Sequence, residues 1–106
     1  MSRPSRLSDA EISDRLASLP GWSYAGGKLH REFVFRDFSE AFGFMARAAL
    51  AAEKMDHHPD WSNVYATVTV NLVTHDAGGI TGLDFELAHR MDALARRRGA
   101  ARAPGS

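Results

Sequence analysis

The sequence predicts an α+β fold in which an antiparallel sheet carries helices on one face. Three observations carry this expectation. The stretch Val64–Val73 alternates side chains with the period of two that a strand requires. Three capping signatures, at Ser8/Glu11, Asp37/Glu40 and Thr81/Asp84, each precede apolar residues at helical spacing. Between the first two lies a pair of short apolar segments around Gly26-Gly27, which reads as a hairpin. The order is helix, hairpin, helix, strand, helix.

Each element has its own local reason. Behind Ser8 and Glu11, the residues Ile12, Leu16 and Leu19 share a helical face, and Pro20-Gly21 stops the helix. In the second arm of the hairpin Leu29, Phe33 and Phe35 lie on one side, with His30, Glu32 and Arg36 on the other. Asp37 opens a long helix running to about Met55, with Phe38, Phe42, Met45, Ala49 and Ala52 as its expected apolar face. Pro59 keeps that helix from continuing past the histidines. In the strand, Val64, Ala66, Val68, Val70 and Leu72 face one way and Tyr65, Thr67, Thr69 and Asn71 the other. After the loop Ala77-Gly78-Gly79, the last helix turns Leu83, Leu87, Met91 and Leu94 inward.

Composition narrows the function classes. With 106 residues the chain is expected to form one domain, its core over about 7–98 and its ends frayed. Thirteen basic and thirteen acidic residues cancel, giving no general attraction for nucleic acid or anionic membrane. Arg96-Arg97-Arg98, with Arg102 beyond, reads as the cationic last turn of a helix followed by a tail. The lack of cysteine excludes disulfides and thiolate catalysis. No apolar run approaches a membrane span, and Met1–Arg6 lacks the apolar core of a secretory signal, so a cytoplasmic location is expected. A domain of this size buries only about two thirds of its unfolded surface, which favours oligomerisation.

The chemistry concentrates at two boundaries. His57 and His58 follow the long helix, and His75 follows the alternating strand. Glu53, Asp56, Asp60 and Asp76 lie within a few residues of them. Such a group supplies acids and bases that work near neutral pH. A charged helix end explains Asp56-His57-His58 equally well, and a simple cap explains Asp84. Metal binding is the weaker alternative, since no histidine pair has the spacing that puts two ligands on one helical face. His30 and His89 fall on polar faces and read as solvated.

At this point the residues become specific. The segment Glu53-Lys54-Met55-Asp56-His57-His58-Pro59-Asp60-Trp61, followed by Thr74-His75-Asp76 and then Asp84, strongly resembles the signature of the pterin-4a-carbinolamine dehydratases. Phe33–Met45 and Gly21-Trp22 are similar to that family as well, so the resemblance covers about Leu7 to Leu94. It implies an α+β domain assembling into homodimers or homotetramers. It implies a pterin substrate, no cofactor, and dehydration of 4a-hydroxytetrahydrobiopterin in tetrahydrobiopterin recycling. Carried across, His57, His58 and His75 are the catalytic histidines, while Glu53, Asp56, Trp61, Thr74, Asp76 and Asp84 line or support the pocket. Val73 departs from the pattern, standing where relatives often carry a small hydroxyl residue. The family also implies an alternative, a non-enzymatic module that stabilises another protein's dimer without using the histidines.

Overall fold

The computed structural model describes residues 4–102, with side chains over 4–96. Along the chain come α1 (Asp9–Leu16), β1 (Ser23–Ala25), β2 (Lys28–Val34), α2 (Phe38–Met55), β3 (Asp60–Val64) and β4 (Thr67–Leu72). A short 3-10 turn over His75–Ala77 and helix α3 (Gly82–Arg102) complete it. The four strands form one sheet in the order β1-β2-β4-β3, every neighbour antiparallel. The expected α+β class is what the chain adopts.

One element differs from expectation. The alternating run is not a single strand but the second arm of a β3–β4 hairpin, in which Trp61 stands opposite Val70 and Val64 opposite Thr67. Its turn holds Tyr65 at φ 50, a left-handed conformation rare for a bulky residue. The Asn63 side-chain amide steadies that turn, donating to the Tyr65 carbonyl at 3.0 Å and the Thr67 carbonyl at 2.9 Å. Val64, expected to point inward, is exposed. The inward row is Ala66, Val68, Val70 and Leu72, all buried, and Leu29 and Phe33 of β2 pair with its members across the ladder.

Helix caps form largely as the sequence indicates. At α1, Ser8 Oγ accepts from the Glu11 N–H at 3.1 Å and Glu11 Oε1 accepts from the Ser8 N–H at 2.8 Å. The bond from the Ser8 N–H, more than any other contact, holds the Glu11 carboxyl below its ordinary value of 4.5. Leu19, placed on the α1 face by periodicity, lies beyond the helix end yet is buried. At α2, Asp37 Oδ1 accepts from the Glu40 N–H, but Glu40 Oε1 reaches past the cap to the Arg36 N–H at 2.8 Å.

The buried face of α2 is only partly the expected one. Ala52 is enclosed and Met45 packs against the core as expected, but Phe38, Phe42 and Ala49 are exposed, while Ala41, Phe44 and Ala48 are enclosed. Alanines there let α3 and the sheet approach closely, and the large rings are left outside. Phe44 carries the volume, its ring centroid 4.8 Å from that of Phe33 and 5.0 Å from that of Phe35. Full burial of such a ring contributes about 1.5–3 kcal/mol. A polar latch ties β2 to α3: Asp92 Oδ1 accepts from Trp22 Nε1 at 2.8 Å and from an Arg31 guanidinium nitrogen at 2.9 Å. Arg31 also lies over the Phe33 ring, 4.4 Å from its centroid. The α3 backbone extends to Arg102, past the Arg96–Arg98 run, and the side chains from Arg97 on lie outside the described residues. Among the described residues no helix is long and apolar enough to cross a membrane.

Candidate active site

The site begins with the way α2 ends. Asp56 takes the left-handed conformation, φ 53 and ψ 43. Its N–H donates to the Glu53 carbonyl at 3.1 Å, and the next N–H, of His57, donates to the Ala52 carbonyl at 3.0 Å. This pair of bonds is a Schellman motif, usually built on glycine. It turns the chain sharply at Asp56, so the two histidines that follow leave the helix in different directions.

His57 goes inward. It is 4% exposed, and its Nε2 lies 2.6 Å from Oδ1 of Asp84, which is fully buried. Asp84 sits in the first turn of α3, and its carboxylate holds two further contacts. Its Oδ2 accepts from the Thr74 hydroxyl at 2.7 Å and from the Thr81 N–H at 2.9 Å. The Thr74 and Thr81 hydroxyls are 2.8 Å apart, and Thr81 Oγ1 accepts from the Leu83 N–H at 3.2 Å. Thr74 and Thr81 are themselves 1% and 0% exposed, so their hydroxyls and the Asp84 carboxylate depend on one another.

His58 goes outward and pairs with Glu53, Nε2 to Oε1 at 2.8 Å, both side chains well exposed. His75 and Asp76 are exposed on the 3-10 turn. Thr74, the residue before His75, is the one bonded to Asp84, so the turn is tethered to the carboxylate that holds His57. Trp61 is half-buried on β3 and packs against the core from the sheet's inner face. The structure therefore joins His57, Thr74 and Asp84 by direct hydrogen bonds. Glu53 and His58 form a separate surface pair, and Asp56 acts first as a helix terminator.

Thr81 is the member that sequence reasoning left out of the site. It was legible only as a cap, which it also is. Nothing in a Thr-x-x-Asp spacing reveals that the same carboxylate will reach a histidine from another helix. His30, read as solvated, is half-buried and meets Asn71 Oδ1 across the sheet at 2.9 Å. His89 stays exposed, 3.2 Å from the Ser18 hydroxyl. Among the described residues no three histidine or carboxylate side chains converge to hold a metal ion. Gly78 and Gly79, just past His75, wall a cleft of about 670 Å³ with Arg6, Leu7, Tyr24 and Gly27. A Cβ on Gly79 would stand 2.5 Å from the Arg6 side chain.

Known proteins resemble this chain over most of its length. The family model for pterin 4 alpha carbinolamine dehydratase matches residues 5–94, the whole of the arrangement just described. The chain belongs to that family. Among relatives of this dehydratase-family protein, one from Mesorhizobium japonicum is 63% identical over 89 residues, 82% of this chain and 91% of its own. Another, from Nitrobacter winogradskyi, is 58% identical over 96 residues, 89% of this chain and 95% of its own. Both are named, provisionally, pterin-4-alpha-carbinolamine dehydratase. A crystal structure described as a transcriptional coactivator/pterin dehydratase from Brucella melitensis matches with a TM-score of 0.83 and 49% identity, covering 86% of this chain and 99% of that one.

Proposed function

We propose that this protein is a hydro-lyase that dehydrates 4a-hydroxytetrahydrobiopterin to quinonoid dihydropterin, by histidine acid and base catalysis, in tetrahydrobiopterin recycling. The observation that carries the reading is His57: buried, anchored on a buried carboxylate, and tied through Thr74 to the turn bearing His75. In the reaction a ring-nitrogen lone pair forms a C=N bond as the neighbouring C–O bond breaks. The leaving oxygen takes a proton from an acid and departs as water. The cation left behind gives one proton to a base, so atoms and charge balance. His57 and His75 fill these two roles, each contributing about 10²–10⁴-fold. His58, held by Glu53, orients the pterin or relays a proton. Trp61 offers a flat apolar wall, and Asp56 and Asp76 supply polar edges.

The test is the dehydration rate of freshly generated 4a-hydroxytetrahydropterin, followed by ultraviolet absorbance. The wild type accelerates it well above buffer, and a folded His57→Ala/His75→Ala double variant does not. A folded wild type without acceleration overturns the proposal. The same reading includes self-association into a homodimer or homotetramer. Support comes from α2, where Phe38, Phe42 and Leu50 are 51%, 56% and 73% exposed. Contiguous apolar surface of this kind marks contact sites.

A further inference from the structure

The buried network has a direction, fixed by which atoms can donate. As a carboxylate Asp84 only accepts, and a threonine hydroxyl has a single proton. Thr74 spends its proton on Asp84 Oδ2 at 2.7 Å, so in the 2.8 Å contact between the two hydroxyls Thr81 is the donor. Thr81 Oγ1 accepts in turn from the Leu83 N–H. Its own N–H donates to Asp84 Oδ2 at 2.9 Å. Oδ2 therefore has two fixed donors, and Oδ1 is left facing His57 Nε2 at 2.6 Å.

That geometry decides the proton on His57. A neutral imidazole can meet an acceptor-only oxygen only with the nitrogen that carries hydrogen. Nε2 is then protonated, and Nδ1 holds the lone pair. The His57 side chain keeps a small opening to solvent, 5% exposed. With Nε2 committed to Asp84, Nδ1 is the ring nitrogen left to meet a substrate.

We infer that Thr74, Thr81 and Asp84 are positioning residues that lock His57 as its Nε2–H tautomer, making Nδ1 the atom that exchanges a proton with substrate. The tautomer stands on the geometry alone. The proton exchange rests on the dehydratase reading above. The lock makes an unusual demand on Asp84→Asn. Two donors converge on the Oδ2 position, so the amide oxygen must settle there and its NH₂ must face His57. Nε2 then has to accept, and the proton moves to Nδ1.

The experiment is long-range ¹H–¹⁵N correlation of ¹⁵N-labelled protein at a pH where His57 is neutral, with His57→Ala to assign the ring. The wild type should show a protonated Nε2, and folded Asp84→Asn a protonated Nδ1. The variant's dehydration rate should fall about 10²–10⁴-fold, the scale of one lost acid or base. Should Asp84→Asn fail to fold, Thr74→Val serves: it lowers kcat with KM little changed, and Thr74→Ser restores most of the loss. A wild-type ring protonated on Nδ1 overturns the inference. So does an Asp84→Asn ring still protonated on Nε2, or a Thr74→Val effect confined to KM. Because the spectrum reads the ring without substrate, an inactive wild type with protonated Nε2 sinks the dehydratase reading and leaves the tautomer assignment standing.

Discussion

His57 and His58 are neighbours in sequence and opposites in circumstance. Removing the first leaves Oδ1 of the buried Asp84 without its partner, and a buried acceptor so stranded costs about 1–3 kcal/mol. Removing the second breaks an exposed pair with Glu53, where side chains are 58% and 80% accessible, and such pairs contribute about 0–1 kcal/mol. Urea denaturation should therefore show a clear loss of stability for His57→Ala and a shift within about 0.5 kcal/mol for His58→Ala. Equal losses would mean that the two rings do not differ in burial as described. The sequence named both histidines, together with His75, Thr74 and Asp84, because their order along the chain resembles a known signature. It could not say which histidine would meet Asp84. That depends on the backbone angles of Asp56, and aspartate is not a residue whose presence announces a left-handed turn. Thr81 stayed hidden for a related reason, since its role is set by what approaches Asp84 from across the fold.

At the level of whole elements, the bend at Asp56 is what separates α2 from the site it serves. A β-branched residue tolerates the left-handed region poorly, the conformation costing roughly 1–2 kcal/mol for an ordinary side chain. Asp56→Val should lower the unfolding free energy measured in urea by about that amount and depress dehydration as well, since His57 is the next residue. Unchanged stability would show that α2 can end in another way. The helices were legible because their caps are local, three-residue affairs. The β3 strand was not, because Asp60, Ser62 and Asn63 give it no apolar alternation and its turn lacks glycine. The α2 face was misjudged for a third reason. Spacing picks out the bulky Phe38 and Phe42, whereas close packing against α3 selects Ala41 and Ala48 beside the expected Ala52.

Across the molecule, most of the exposed large apolar side chains among the described residues lie on α2 and at one end of the sheet, where Val34, Val64 and Tyr65 are 73%, 75% and 66% exposed. If α2 mediates self-association, Phe42→Glu should reduce the sedimentation coefficient to that of a monomer while leaving the circular dichroism spectrum intact. An unchanged coefficient would place the contact elsewhere, and a monomeric wild type would remove it. Asp84 has a wider consequence. One carboxylate both receives the N–H that starts α3 and grips the ring of His57, so a descendant that gave up the reaction would still be selected to keep it. Its persistence in a lineage records that the domain folds. His75 stands exposed on a short turn, where replacement disturbs no packing. Drift at that position, with Asp84 unchanged, would be the signature of a copy retained for something other than catalysis.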